Sequence, residues 1–154
     1  MYREEAIKHK LCPQWLKDAK WEGRVELSED RPYVTWKYGT WKNGIWKYGT
    51  WKNGIWKDGF WERGIWEDGI WERGIWEAGI WKGGYKSIGQ CSWGVYYSNA
   101  HIRIGCKTKT VEEWKEWFAG DEVYNHKRDS EQFKKIKQAY LMALACIEIE
   151  KGAQ

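Results

Sequence analysis

The stretch that decides the fold is TWKNGIWKYGTWKNGIWKDG, from Thr40 to Gly59. A tryptophan stands at every fifth position, and the unit Trp-x-x-Gly-x occurs ten times, at Trp36, Trp41, Trp46, Trp51, Trp56, Trp61, Trp66, Trp71, Trp76 and Trp81. A helix is excluded on two grounds. Glycine at every fifth position costs about 1 kcal/mol per repeat relative to alanine, and five-residue spacing scatters the indoles around a turn of about 3.6 residues. An unbroken strand fails too, because five is odd and successive tryptophans would alternate faces. The chain must turn once per repeat.

Two architectures meet that requirement. Asn43-Gly44, Asn53-Gly54, Asp58-Gly59 and Asp68-Gly69 are strong signals for two-residue hairpins, whose turn positions both need positive φ. They favour an antiparallel meander of very short strands, with Trp41 across from Trp46 and all ten indoles in a ladder on one face. The alternative is a β-solenoid, in which Gly-x-Trp supplies a small and then a large inward residue on each side of a coil. A ten-residue beat is superimposed: the position before glycine runs Tyr38, Asn43, Tyr48, Asn53, Asp58, Arg63, Asp68, Arg73, Ala78, Gly83. Odd and even turns are then expected on opposite edges of a meander or opposite corners of a two-sided coil.

Each tryptophan can bury about 150–250 Å², so an open ladder of ten would expose on the order of 2,000 Å², far above the few hundred Å² usual for a soluble monomer. The ladder must be covered by the terminal segments, by itself in a coil, or by another chain. Its role is read as structural.

Residues 1–35 read as a helix and a hairpin. Ala6, Ile7, Leu11, Trp15, Leu16 and Ala19 keep helical spacing interrupted by Pro13, and RVELSEDRPYVT alternates on either side of a polar turn. Residues 36–85 are the pentapeptide repeat. Residues 86–154 hold a hairpin turning at Ser98-Asn99, a short helix TVEEWKEWF capped by Thr110 and Glu113, and a last helix capped by Asp129 or Ser130. The short helix buries Val111, Trp114, Trp117 and Phe118; the last one presents a stripe of Phe133, Ile136, Tyr140, Leu141, Leu144 and Ile147. The fold class is α+β.

Across 154 residues the net charge is only +4, and 15 of the aromatic residues are Trp. That dispersed balance argues against a nucleic-acid binder, and no apolar run suits a signal peptide or a membrane span. A cytoplasmic protein is expected, with Cys12, Cys91, Cys106 and Cys146 as free thiols; a Cys91–Cys106 bridge across the predicted hairpin is the one exception considered.

Candidate chemistry is sparse. GCKTKT, from Gly105 to Thr110, lies before a helix start. There Lys107, Lys109 and the amides of Thr110 and Val111 could hold an anion, beside an accessible aromatic such as Trp93 or Tyr97. Lys37, Lys42, Lys47, Lys52 and Lys57 give way to Glu62, Glu67, Glu72 and Glu77. Such like-charge rows repel, which suggests an interface where a second copy, related by a two-fold axis, sets one block against the other. His101 and Cys106 fall on opposite faces of one strand, and His9 with Cys12 lacks further metal ligands. No catalytic, cofactor or metal motif appears, so an enzyme is not expected.

The run GTWKNGIWKYGTWKNG followed by HIRIGCKTKTVEEW resembles uncharacterised Trp-centred pentapeptide-repeat proteins of phages and bacteria, in which a Gly-x-Trp-x-x array precedes an Ile-Gly-Cys…Thr-x-x-x-Trp tail. Here that tail is Ile104-Gly105-Cys106 and Thr110 to Trp114. The GTWKNG units are also similar to MORN hairpins, although MORN units are longer and this array lacks their spacer. The first resemblance implies a phage or prophage origin. The expected function is a non-enzymatic binding protein that occupies a host component, either a defence protein or a small signalling nucleotide. A homo-oligomeric scaffold without a soluble ligand is the alternative.

Overall fold

Three pentapeptides, fifteen residues, make one turn of the repeat. Strand β1 (Lys20–Leu27) is followed by β2 (Val34–Asn43), which carries the first two tryptophans of the array. Each later pentapeptide adds a two-residue strand: β3 (Ile45–Trp46), β4 (Thr50–Trp51), β5 (Ile55–Trp56), β6 (Phe60–Trp61), β7 (Ile65–Trp66), β8 (Ile70–Trp71), β9 (Ile75–Trp76) and β10 (Ile80–Trp81). Pairing is parallel and in register, so that Trp36, Trp51, Trp66 and Trp81 form one column. Trp41, Trp56 and Trp71 form the second, and Trp46, Trp61 and Trp76 the third. This is a three-sided β-solenoid. The computed structural model describes residues 1–90, 93–124 and 126–152, in two units, Met1–Tyr85 and Lys86–Gln154.

The corners explain why the solenoid and not the meander is seen. A hairpin turn of the expected type needs positive φ at both central residues. Here glycine alone supplies it (φ +126° at Gly54, +130° at Gly59), and no non-glycine residue among those described has positive φ. Asn53, Asp58 and Asp68 instead accept the N–H of the following glycine on their side-chain oxygen, at 2.7, 2.8 and 2.8 Å. The chain bends without reversing. Glycine is also required by stacking: a Cβ on Gly59 would lie 2.3 Å from the carbonyl oxygen of Gly44 in the turn below.

The indoles therefore face inward and do not form a ladder on one sheet face. Trp36, Trp41, Trp46, Trp51, Trp56, Trp61 and Trp66 are each 0% exposed. Along a column the rings are nearly parallel, 4.6 Å apart for Trp36 and Trp51 and 4.9 Å for Trp56 and Trp71. Around a turn they meet edge to face, as Trp51 and Trp56 do at 6.0 Å. Both geometries suit the quadrupole of an aromatic ring. The backbone ladder is satisfied in the same rhythm: Lys57 N–H donates to Trp41 O and Glu72 N–H to Trp56 O, both at 2.8 Å. The indole N–H groups of Trp56, Trp61 and Trp66 donate to the carbonyls of Arg73, Ala78 and Gly83 at 3.0–3.1 Å.

The ten-residue beat has a different meaning on a fifteen-residue turn. Residues that stand on one another come from unlike members of the beat, so Asp58 lies next to Arg73, with an ion pair of 3.1 Å.

Pro13 divides the expected first helix into α1 (Arg3–Ala6) and α2 (Gln14–Asp18). These elements and β1 close the first turn. β1 pairs antiparallel with β2 across the foreseen hairpin. Trp15 meets Trp46 edge-on at 5.1 Å, and Trp21 meets Trp36 at 5.3 Å while donating its indole N–H to Leu16 O.

β11 (Tyr85–Gln90) starts at the last residue of the first unit, and with β12 (Gly94–Tyr97), β13 (His101–Ile104) and β14 (Lys107–Thr110) of the second it pairs antiparallel in sequence order. The sequence reading foresaw the hairpin but not β14. Helix α3 (Val111–Ala119) begins on the expected capping box: Thr110 Oγ1 accepts from Glu113 N, and Thr110 N donates to Glu113 Oε2. Helix α4 (Glu131–Gly152) is capped by Ser130, whose Oγ accepts from Phe133 N at 3.2 Å. The core gathers Val95, Tyr97, Ile102, Ile104, Trp114, Trp117, Phe133, Tyr140 and Ile147. Leu141, expected in that core, is 50% exposed, because Ala139 and Ala143 let α4 approach the core along a neighbouring line.

Two substitutions test this account by denaturant unfolding. Trp56→Ala is expected to cost about 3–5 kcal/mol, as deletion of a large core aromatic does. Gly59→Ala should cost about 1–3 kcal/mol for its backbone region alone, with the clash against Gly44 added. Gly120→Ala, whose Cβ would find its nearest neighbour at 3.5 Å, should stay within about 0.5 kcal/mol.

Candidate functional site

The second unit contains a cavity of about 80 Å³ lined by Trp93, Ile104, Cys106, Lys107, Trp114, Trp117, Tyr124, His126, Phe133 and Ile136. It forms where the end of β13 and the start of β14 meet the paired helices, and the loop after α3 supplies a further wall. Trp117 and Tyr124 stack at 5.0 Å with rings 5° from parallel. Trp93 and His126 face each other at 5.6 Å. The loop is held by Arg128, which donates to Phe118 O at 3.2 Å, Glu122 O at 3.1 Å and Trp117 O. Its guanidinium also lies over Trp117 at 4.9 Å. One cation thus neutralises the carbonyl end of α3 and fixes the loop that carries Tyr124.

Positive charge gathers at the rim. Lys107 Nζ stands 4.5 Å from the centre of the Tyr124 ring, and Lys109 Nζ lies 5.4 Å from Tyr124 and 5.9 Å from Trp114. These are cation–π distances. The Tyr124 side chain beside it holds the Lys109 ammonium above its ordinary pKa range.

Of the anion site expected from the sequence, Lys107 and Trp93 line the cavity and Lys109 joins them through Tyr124. Thr110 and Tyr97 do not belong to it. The amides counted as free are in use: Thr110 N donates to Glu113, and Val111 N to Ala100 O at 3.4 Å. Tyr97 is buried, and its hydroxyl donates to Glu150 at 2.8 Å; burial first, then that carboxylate, pushes its pKa well up. Sequence reasoning missed Tyr124 and His126, whose loop carries no motif, and assigned Trp114 and Trp117 to the core alone.

The charge blocks of the repeat pair largely within the chain. Lys37 and Lys42 reach Glu26 and Glu22 of β1. Lys52 meets Glu67 at 3.0 Å and Lys57 meets Glu72 at 3.7 Å, one turn apart. Lys47, Glu62 and Glu77 share the third side and have no ion pair among the described residues. The coil thus supplies oppositely charged neighbours for Lys37, Lys42, Lys52 and Lys57, while Glu62 and Glu77 still stand on one another along the third side.

Among the described residues no group of His, Cys, Asp and Glu could hold a metal ion, and no helix is long and apolar enough to cross a membrane. Cys12, Cys106 and Cys146 are free thiols; Cys91, and with it the Cys91–Cys106 bridge, lies outside the described residues. His101 is not among the residues that line the cavity with Cys106, where the imidazole is that of His126. No family model, curated protein or solved structure matches this chain.

Thiol labelling separates the environments. Cys106 is exposed, whereas Cys12 is buried and its thiol is pushed up in pKa chiefly by desolvation. Since the thiolate is the reactive form, an aromatic disulfide reagent at neutral pH should modify Cys106 at least tenfold faster than Cys12. In denaturant all four cysteines should titrate.

Proposed function

We propose that this is a non-enzymatic, cytoplasmic binding protein whose second unit takes one apolar or aromatic side chain of a protein partner. Acidic neighbours of that side chain would lie against Lys107 and Lys109. The observation that carries this reading is the cavity of about 80 Å³, walled by aromatic rings, with ammonium groups at its rim. A cavity of about 150 Å³ holds a benzene, and sites for drug-sized ligands reach several hundred Å³. The volume therefore suits the tip of one side chain better than a nucleotide. Buried anchors of this kind dominate the energetics of protein interfaces. Occupying a host protein is the task in keeping with the resemblance to phage and bacterial repeat proteins, and free thiols are in keeping with a reducing compartment.

An array of short peptides presenting Leu, Phe or Trp between acidic residues tests the reading. The wild-type protein should bind a subset of them. Ile136→Trp, which fills the cavity, and Lys107→Glu, which reverses the rim, should each lose at least tenfold in affinity with unchanged circular dichroism. Binding that survives both changes, or saturable binding of nucleotides with none of peptides, would overturn it.

A further inference from the structure

Strand β14 ends its sheet: among the described residues it pairs with β13 and with no other strand. The register of Ile104 on Lys107 and Ile102 on Lys109 continues to Ala100 and Val111, where Val111 N–H donates to Ala100 O. In an antiparallel pair, hydrogen-bonded positions alternate with open ones. Lys107, Lys109 and Val111 therefore turn their backbone groups toward β13, and Thr108 and Thr110 turn theirs outward. Thr110 N–H is taken by Glu113 in the helix cap, in agreement with that alternation. Thr108 is exposed, and among the described residues its outward N–H and C=O have no hydrogen-bond partner.

Side chains alternate along the same strand. Lys107 and Lys109 project to the side of the aromatic cavity, where Lys107 forms part of the wall and both ammonium groups lie over Tyr124. A chain laid along β14 would pair one residue with Thr108 and set the residues before and after it beside the two lysines. Backbone bonds to a sheet edge, with pockets for alternate side chains, are the two components of recognition by strand addition. The charges name the occupant. Neither lysine has an ion pair among the described residues, and lysine on a short edge disfavours indiscriminate pairing. A second copy is ill suited, because antiparallel β14 strands centred on Thr108 would set Lys107 of each against Lys109 of the other. An acidic extended segment of another protein fits.

We infer that the partner segment binds as an added strand on β14, antiparallel to it, with its anchor residue beside Lys107 and an acidic residue beside Lys109. The inference rests on the reading of the cavity as a side-chain site, and adds the conformation and spacing of what enters it. An antiparallel neighbour closes both free groups of Thr108 with a single residue. Read from its N-terminus, the segment is therefore an acidic residue, a residue bonded to Thr108, then the anchor. Acid and anchor stand two positions apart, the period of a strand, where a helical ligand would need three or four. The anchor's own N–H points away from β14. Only one residue of the edge is open, so the backbone bonds are few and the buried anchor supplies most of the affinity.

Fluorescence anisotropy of the full chain with labelled Thr-Glu-Thr-X-Thr peptides, X being Leu, Phe or Trp, tests it. Moving the glutamate next to X should weaken binding at least threefold. N-methylation of the middle threonine, which blocks the bond to Thr108, should weaken it at least tenfold, whereas N-methylation of X should change it less than threefold. Thr108→Pro removes the outward N–H and no bond to β13, as an edge position allows. It should lose at least tenfold with unchanged circular dichroism, while Thr108→Val should bind like the wild type. If the two N-methylated peptides bind equally, or Thr108→Pro keeps the wild-type affinity, the added strand is overturned; the cavity reading then stands alone so long as Ile136→Trp abolishes binding. Peptide binding that Ile136→Trp leaves unchanged, or no binding by the wild type at millimolar peptide, overturns both.

Discussion

Strands in a sheet stand about 4.8 Å apart, and indole rings in offset stacks prefer nearly the same separation. In this solenoid the two spacings coincide. Trp41 and Trp56 stack at 5.2 Å and Trp61 and Trp76 at 4.9 Å because their strands are hydrogen-bonded neighbours in register. Backbone ladder and side-chain column reinforce one another at every step, and a slip of one residue would turn every indole outward at once. Glycine at the corner follows from the same condition. If consecutive turns are to lie at strand spacing, the corners must stack backbone on backbone, and a side chain there would strike the turn below.

The charges on the outside follow from the coil as well. Identical pentapeptides would place lysine on lysine around the whole solenoid. The switch from lysine to glutamate after Lys57 instead puts Glu67 beside Lys52 and Glu72 beside Lys57. Exposed pairs of this kind contribute only about 0–1 kcal/mol each. They add little to the stability, which the buried rings supply.

Regularity of this order leaves little room for a specific site inside the repeat. The second unit differs. Its sheet, two helices and the loop carrying Tyr124 and His126 bring unlike side chains together once only, and the cavity lies there. Arg128 shows how such a surface is kept in shape: a single guanidinium spans the end of α3 and the loop through three carbonyls.

The amino-acid sequence alone determined that the array cannot be helix or continuous strand, that it turns once per pentapeptide, and that ten indoles must be hidden. It also determined α3 and its cap, since Thr110, Glu113 and the spacing of Trp114 and Trp117 are local signals. It favoured the meander over the solenoid that forms, because Asn-Gly and Asp-Gly are strong hairpin signals that serve a corner as well. The sign of φ at the first residue of the pair, which separates them, is set by the strands that stack on either side. Burial of Tyr97, exposure of Leu141, the strand at Lys107–Thr110 and the meeting of Lys107 with Tyr124 were decided only by tertiary packing. Each depends on which residues distant in the chain arrive next to it, and spacing along the sequence carries no record of that.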